Sequence, residues 1–389
     1  APVNGYVNSI AVNTIGETVT SAEQLVTIVP DNTPVEMVCY VKNMDIADIE
    51  VGMEAEIKLE AYPYNKYGTV KSTVKYISPS SFNSEQFGSV YLVKLEMDNS
   101  NENIDIIHIN GLNNGIGAMI AQKLGIPYVW HIRQLMEEDL HQRLYNQKKV
   151  WPMVKSANAV IAISKAVKEK FEKEFNREIT VVYNGVPVEK YQINNHSIFD
   201  EELVKMVLPG RIVEGKGQLE AAKALKYLVD NGIKNVKLIL VGHRQSTYAQ
   251  EVEEFVEKND ISSYIEIQEH NADLRSLRGT CDIGLTCSVK EAFGRVTVEN
   301  QMAGLLAIGA NTGGTPELIE HNVTGLLYQQ GNYRSLASQI EYAIHNRELM
   351  KKIAQNSYQY SVENYSIKRV VDQVEKIYSN IIHKDMKKW

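Results

Sequence analysis

Short runs of alternating apolar and polar residues fill the first 97 or so positions of this 389-residue chain. Val, Ile, Thr and Tyr dominate these runs, and glycine, proline and asparagine separate them. Period-two alternation of β-branched and aromatic residues between turn-forming residues predicts short antiparallel strands. Runs at Glu54–Leu59, Gly68–Ile77 and Ser89–Leu95 therefore predict a small all-β barrel or sandwich.

A different pattern begins after residue 103, where apolar runs alternate with helical stretches. This alternation is typical of parallel, doubly wound sheets, and it restarts at Val204, which predicts two such sheets with a cleft between them. Open α/β sheets bind ligands beyond the carboxyl ends of their strands, so the loops there should carry the chemistry. The predicted strands are Ile104–Ile109, Tyr128–Trp130, Ala159–Ile163, Thr180–Tyr183, Val204–Leu208, Val236–Val241, Tyr264–Ile267, Asp282–Thr286 and Leu305–Gly309, with helices from about Tyr333.

Composition excludes several classes of function. A net charge of -7 gives no basic field, so nucleic acid is not expected as a partner. No run approaches the roughly 18 apolar residues that cross a bilayer. Cys39, Cys281 and Cys287 are scattered and lack metal-type spacing, which predicts buried free thiols rather than disulfides or a zinc site.

The loop after Leu208 could bind phosphate. Gly210 comes first, and Arg211 and Lys216 then flank a glycine-rich turn that leads into a helix near Gln218. Two cations and a helix N-terminus form a phosphate site, although exposed cations in a loop are also common without one.

A second loop carries two carboxylates eight positions apart, Glu291 and Glu299. A helix that starts just after Gly294 would place Glu299 in its first two turns, and Glu291 would precede the amides of Phe293, Gly294 and Arg295. A carboxylate can accept bonds from two vicinal hydroxyls, and free amides suit hydroxyl or phosphate oxygens. The alternative is one capping and one solvated glutamate.

In a third loop, Gly313 and Gly314 precede Thr315, Pro316 and Glu317. Proline at the first helical position predicts a helix start there, and the glycines would let the backbone approach a ligand. A purely structural strand-to-helix turn explains these residues equally well.

Together these loops resemble the family 4 retaining glycosyltransferases, which have the two-domain GT-B fold. The resemblance covers about residues 104–382, and its most specific part is Glu-x7-Glu beside Ala-Phe-Gly. Its motifs are Asp105-Ile-Ile-His-Ile-Asn110-Gly111, Trp130-His131-Ile-Arg, Val182-Tyr-Asn-Gly-Val, Gly210-Arg211 with Lys216-Gly, Glu291-Ala-Phe-Gly with Glu299, Gly313-Gly314-Thr315-Pro-Glu317 and Thr324-Gly-Leu.

The resemblance implies roles for these residues. Glu299 would bind the donor ribose, Arg211 and Lys216 the diphosphate, and Glu291 the transferred sugar. His131 would lie near that sugar, so His131 and Glu291 are the candidate catalytic residues. The other donor-site candidates are Gly210, Phe293, Gly294 and Arg295, and the supporting-loop candidates are Asn110, Gly111, Gly313, Gly314, Thr315 and Glu317.

No Asp-x-Asp motif is present to carry a divalent metal. We therefore predict a metal-independent reaction with no cofactor beyond the nucleotide-diphosphate sugar. The resemblance implies same-face attack with the leaving phosphate as base. The acceptor would be a glycan or a lipid. The charged amphipathic helix predicted at residues 165–177 suggests a peripheral membrane contact or, more simply, a solvated face.

The first 97 residues resemble periplasmic adaptor (membrane-fusion) proteins of type I export. Ala1-Pro-Val-Asn-Gly-Tyr-Val, Ala61-Tyr-Pro and Tyr67-Gly-Thr-Val are among the matching motifs. The resemblance implies a half lipoyl-like segment at 1–33 and an adaptor β-barrel at 34–100. Such a module is a scaffold that pairs with export machinery and has no active site.

The two resemblances predict an unusual chain. Residues 101–200 would be an N-terminally truncated acceptor domain, 201–345 the nucleotide-sugar domain and 346–389 C-terminal helices. The strand at Ile104–Ile109 would then have one uncovered edge. Adaptors work outside the cytoplasmic membrane whereas nucleotide sugars are used inside it, so we expect a chimeric sequence, a misassembled reading frame or joined fragments rather than a natural fusion. The alternative function is that of an export-adaptor fragment.

Overall fold

The computed structural model describes residues 5–10, 26–30, 36–43, 45–57, 70–84, 88–97, 104–113, 115–137, 147–194, 196–243, 246–269 and 274–386. The chain divides into two compact units, Ala1–Asn103 and Ile104–Trp389.

The first unit is built from antiparallel strands. Strands β1 and β2 pair with each other, whereas β3, β7, β5 and β4 form a sheet in that order, with β6 added on β7. Its core contains Ile57, Val74, Val93 and Leu95. This sheet is compatible with the predicted barrel-like module. The predicted strand ends at Leu59 and Gly68 lie outside the described residues. The strands are β1 Gly5–Ile10, β2 Val26–Pro30, β3 Glu36–Lys42, β4 Glu54–Ile57, β5 Val70–Ile77, β6 Phe82–Ser84 and β7 Gly88–Met97.

The second unit opens with a parallel sheet in the order β11-β10-β9-β8, which leaves β8 as a terminal strand among the described residues, as expected. Ile109 and Trp130 on one face belong to the core formed with helices α1 to α3, and Val129 and Ile161 on the other pack with the helix at Ile367–Met386. Strand β8 is shorter than predicted, and Ile104 before it is exposed. The elements are β8 Ile107–Asn110, α1 Gly115–Leu124, β9 Tyr128–Ile132, α2 Gln147–Ser156, β10 Ala159–Ala162, α3 Lys165–Phe175, β11 Thr180–Val181 and α4 Val188–Tyr191.

A second parallel sheet follows, in the order β14-β13-β12-β15-β16-β17. Successive strands therefore run outward from β12 in one direction and then, from β15, in the other. This is the doubly wound order that opens a crevice between the loops after β12 and β15. The elements are β12 Val204–Pro209, α5 Gln218–Asp230, β13 Val236–Val241, α6 Thr247–Lys258, β14 Ile265–Gln268, α7 Arg275–Arg278, β15 Ile283–Thr286, α8 Arg295–Met302, β16 Leu306–Ala310, α9 Thr315–Leu318 and β17 Leu326–Tyr328.

Three long helices complete this unit: α10 Tyr333–His345, α11 Arg347–Tyr365 and α12 Ile367–Met386. The unit has two halves, one around each parallel sheet. Helix α10 packs in the half of the second sheet, whereas α12 returns to the first sheet, where Ile381 packs against Val129 and Ile161. The predicted pair of parallel Rossmann-like sheets is confirmed, and the second sheet has the doubly wound order, whereas the described strands of the first run in one direction from β8 to β11.

Candidate functional site

The loops after β12 and β15 meet at the crevice. The Lys216 ammonium donates to the Glu291 carboxylate over 2.8 Å, and the Ser288 hydroxyl donates to the same oxygen over 2.6 Å. The two side chains are 22% and 15% exposed, so both retain access to solvent. The structure thus brings together a predicted phosphate ligand and a predicted sugar ligand.

Gly217 permits this approach. Its φ of +73° lies in the left-handed region, and a Cβ there would come within 2.1 Å of the Cys287 carbonyl oxygen. Only glycine fits both the backbone conformation and the space. Gly210 is approached just as closely, because a Cβ on Gly242 would lie 2.0 Å from its carbonyl oxygen.

Helix α8 points its N-terminus at the same loop. Gly294 precedes the helix with a φ of +98°, as predicted for a helix starting at Arg295. Within the described part of the chain, the amide N–H groups of Phe293 and Gly294 have no hydrogen-bond acceptor. Free amides at a helix start carry partial positive charge and bind oxygen anions. The ring of Phe293 is buried and packs with Tyr183 and Tyr365.

The glycines of the third loop contact the second loop directly. Gly314 donates its N–H to the Glu291 carbonyl over 2.8 Å, and a Cβ on Gly313 would come within 2.4 Å of that oxygen. Helix α9 begins at Thr315, so Pro316 is its second residue rather than its first as predicted. The buried Thr315 hydroxyl has no partner among the described residues. These glycines therefore support the backbone of Glu291.

Glu317 joins the two halves of the unit. Its carboxylate accepts bonds from the N–H groups of Lys165 at 2.7 Å and Ala166 at 2.8 Å, the first residues of α3. The Tyr183 hydroxyl also donates to it over 3.1 Å. Burial and this carboxylate raise the pKa of Tyr183 above its usual range. A carboxylate at a helix N-terminus satisfies two unpaired amides and interacts favourably with the helix dipole.

The structure surrounds Glu299 with polar side chains, of which Arg295 was predicted as a site residue and Arg278 and Tyr191 were not. One oxygen accepts from the Arg278 guanidinium over 2.9 Å, and the other accepts from the Tyr191 hydroxyl over 3.0 Å. Arg295 adds a contact of 3.3 Å. Arg278 is 1% exposed, and its Nε donates to Asn300 over 2.9 Å. No local pattern distinguishes Arg278 from the neighbouring Arg275, so only its burial reveals its role.

His131 lies on β9 and is 2% exposed. Its Nδ1 lies 3.1 Å from Nε2 of His108 on β8, and Nδ1 of His108 lies 2.7 Å from the Tyr378 hydroxyl on α12. Burial and the positive charge of Arg133 lower the pKa of His131 to about 2 and that of His108 to about 4. Both imidazoles are therefore neutral near pH 7. Neither His108 nor Tyr378 was predicted as a site residue.

Asn110 and Gly111 position Arg133 and the end of β9. The Arg133 guanidinium donates to the side-chain oxygens of Asn110 and Asn184, the latter over 2.6 Å. Gly111 has a φ of +88° and donates its N–H to the His131 carbonyl over 2.9 Å. Burial and the positive charge of Arg295 lower the pKa of Arg133. Arg133, which follows β9, and Arg295, which begins α8, therefore place two positive charges near each other, one from each half of the unit.

The remaining candidates are simpler. Arg211 is exposed and forms no ion pair within the described ranges.

Cys281 and Cys287 are buried and unpaired as predicted, whereas Cys39 is only partly buried. In the part of the chain that the structure describes, no cluster of three His, Cys, Asp or Glu residues could hold a metal ion. No described helix has the length and apolar character of a membrane span.

Two family models match the chain. The model "Glycosyl transferases group 1" matches residues 190–360, and the model "Glycosyltransferase Family 4" matches residues 60–190. The second match starts inside the first unit, although the strands there are antiparallel and the parallel sheet begins at Ile107. The structural boundary is the better guide to where the α/β region begins.

Known proteins resemble different parts of the chain. The capsular polysaccharide biosynthesis glycosyltransferase CapM of Staphylococcus aureus is 25% identical over 293 residues, 70% of this chain and 74% of CapM. The structure of Anabaena Alr3699/HepE, determined with UDP and glucose, has a TM-score of 0.63 at 24% identity, over 71% of this chain and 77% of that one. This structural likeness shows the fold.

Other curated relatives are secretion proteins. Hemolysin secretion protein D of Escherichia coli is 34% identical over 148 residues, which is 37% of this chain and 31% of that protein. The chain spans only about a fifth to a third of such relatives. Residues 60–360 therefore match models of two glycosyltransferase families, the α/β unit has the GT-B fold, and the first unit is similar to a segment of the secretion proteins D.

Proposed function

We propose that this chain transfers a hexose, with retention, from a nucleotide-diphosphate sugar to a glycan or lipid acceptor. The observation that carries the proposal is the contact between Lys216 and Glu291 at the crevice, beside the unpartnered amides of Phe293 and Gly294. A cation, a carboxylate and a helix N-terminus in one place suit a ligand that has both phosphates and sugar hydroxyls.

The charges of the site match those of the reaction. Breaking the anomeric bond leaves negative charge on the diphosphate and positive charge on the sugar ring. Lys216, the exposed Arg211 and the N-terminus of α8 would stabilise the leaving diphosphate without a metal ion. Glu291 would orient the sugar, and the leaving phosphate would deprotonate the acceptor.

Glu299 would accept the ribose hydroxyls. Its oxygen that bonds to Arg278 keeps further acceptor capacity, because a carboxylate oxygen accepts about two bonds. The second ribose hydroxyl would donate to the other carboxylate oxygen of Glu299, where it would displace the Tyr191 hydroxyl or bind beside it. Arg278 would keep the carboxylate fixed in direction while the ribose binds.

Two relatives bear on the acceptor and on the donor nucleotide. CapM is named for capsular polysaccharide biosynthesis, which favours a glycan acceptor. Alr3699/HepE was crystallised with UDP and with UDP-glucose, which makes UDP the first donor nucleotide to test. We place the reaction on the cytoplasmic side, where nucleotide sugars are available. Lys168 and Lys170 of α3 pair with Glu172 and Glu137, which favours a solvated face over a membrane contact.

Calorimetric titration without metal tests the proposal. We expect wild type to bind UDP or GDP, and Lys216→Met to bind the same nucleotide about 10- to 100-fold more weakly, because a charge-assisted bond is lost. Binding of the corresponding nucleoside, which has no phosphate, should not change. The exposed Lys234→Met is the matched control.

Two outcomes would contradict the proposal. Folded wild-type protein that binds none of the nucleotides or their sugars would lack a working donor site. Equal weakening of nucleoside and nucleotide in Lys216→Met would show a general change of fold rather than a phosphate contact.

A second candidate function rests on the first unit. The relatives at 34% to 38% identity over about 100 to 150 residues are secretion proteins D, and the described strands form an antiparallel sheet. A scaffold role in export would then be the function of this unit. Folded protein without nucleotide binding would favour it.

A further inference from the structure

Three polar side chains from three separate elements form a hydrogen-bonded line in the second unit. His131 on β9 contacts His108 on β8, and His108 contacts Tyr378 on α12. His108 and Tyr378 are 270 positions apart in the chain. The ring planes of His108 and His131 stand at 68°, and those of His108 and Tyr378 at 76°, which aligns edges rather than faces.

The donor and acceptor properties of the three groups determine which group donates in each hydrogen bond. A phenol is a good donor and a neutral imidazole nitrogen a good acceptor, so the Tyr378 hydroxyl donates to Nδ1 of His108. His108 then carries its proton on Nε2 and donates to Nδ1 of His131. His131 in turn must carry its proton on Nε2.

The end of the line has no partner. Nε2 of His131 is buried and makes no hydrogen bond to any described residue. Buried polar groups are nearly always hydrogen-bonded, and an exception in a native fold calls for an explanation such as a ligand. A neutral N–H donor fits the oxygen of a sugar hydroxyl.

We propose that His108 and Tyr378 are positioning residues that hold His131 in its Nε2–H tautomer, so that His131 donates a hydrogen bond to an oxygen of the transferred sugar. The sugar contact rests on the proposed function, whereas the tautomer does not. The lowered pKa values of both imidazoles agree with a neutral pair. His131 in this state has no lone pair on Nε2, so it cannot act as the base that deprotonates the acceptor.

The tautomer can be measured without any ligand. Long-range ¹H–¹⁵N correlation spectra of histidine-labelled protein distinguish Nε2–H from Nδ1–H, and His131→Asn identifies the signal. We expect Nε2–H for His131 in wild type and a mixture of tautomers in Tyr378→Phe, because the donor that directs the line is lost. Tyr342→Phe, a partly exposed tyrosine on α10, should match wild type. An Nδ1–H signal for His131 in wild type would overturn the proposal.

Donor affinity separates positioning from folding. For Tyr378→Phe we expect UDP-glucose to bind about 3- to 10-fold more weakly, the effect of one neutral hydrogen bond, with UDP affinity unchanged. An equal loss for UDP and UDP-glucose would indicate a structural role and reject the positioning role. If wild type binds neither ligand while the Nε2–H tautomer is observed, the sugar contact is rejected together with the proposed function. The positioning of His131 by His108 and Tyr378 is then still supported.

Discussion

Arg278 is an uncommon side chain for the interior, because arginine is rarely buried unless it is paired. It is 1% exposed, stacks 5.4 Å from the Tyr191 ring centroid and bonds to Glu299 and Asn300. A buried ion pair of this kind is worth little by itself, but removing one partner leaves the other charge buried and alone. The main effect of Arg278 is therefore to fix the orientation of the Glu299 carboxylate.

We expect Arg278→Met to lower the free energy of unfolding by about 3–5 kcal/mol, because Glu299 would lose its buried cation and keep only the longer contact to the exposed Arg295. Adding Glu299→Gln should restore part of this loss, since no charge is then unpaired. Urea unfolding measures both. Arg369→Met, at an exposed position on α12, should change stability by less than about 0.5 kcal/mol. A loss no larger than this control's would refute the pairing.

His131 predicts a dependence of stability on pH. Its pKa is about 2 in the folded protein and 6.5 in the unfolded chain, so the folded state binds fewer protons below pH 6.5. The free energy of unfolding is therefore unaffected above pH 6.5 and falls as the pH decreases, by about 1.4 kcal/mol per pH unit from this residue. Between pH 6.5 and 5 the loss is about 2 kcal/mol.

Urea unfolding at pH 7 and pH 5 checks this expectation. The decrease should be about 2 kcal/mol smaller in His131→Asn than in wild type. His345→Asn, whose imidazole is 66% exposed, should show the wild-type decrease. Identical decreases in wild type and His131→Asn would mean that the imidazole is protonated as easily in the folded state as in the unfolded one.

At the scale of elements, periodicity predicted the positions of the parallel strands well. Strand β13 has the predicted bounds, Val236–Val241, and helix α5 begins at Gln218 as expected. The ends of β8 and β11 were wrong because strand ends depend on which residues pair, and Ile104 has no pairing strand. The order of strands, which places the loops after β12 and β15 side by side, is not encoded in any local pattern.

The glycine-rich loop offers a test at this scale. Gly217→Ala should destabilise the protein and weaken nucleotide binding at least about tenfold, because the new Cβ would force the loop away from Cys287 and separate Lys216 from Glu291. Gly232→Ala shares the backbone penalty of about 1–2 kcal/mol but meets nothing within 4 Å. Unfolding and titration of both variants separate the two effects. Unchanged binding in Gly217→Ala would show that the close approach is unnecessary.

At the scale of the whole molecule, the two units differ in architecture and in relatives. The first is antiparallel with a small core, and the second has two parallel sheets with large cores. We therefore expect calorimetry to show two unfolding transitions. UDP at 100 times its dissociation constant should stabilise only the larger unit, by about 2.7 kcal/mol. A single transition that shifts as a whole would contradict independent unfolding.

The sequence by itself determined the change from period-two strands to alternating strands and helices, and it marked the three loops that hold Lys216, Glu291 and Gly314. These features are local, because propensity, turn chemistry and apolar spacing act over a few residues. Only the tertiary structure decided that Glu317 caps α3, that Arg278 and Tyr191 hold Glu299, and that Tyr378 reaches His131 through His108. These contacts join residues 21 to 270 positions apart. They form only after packing has removed water from both partners, which no local pattern records.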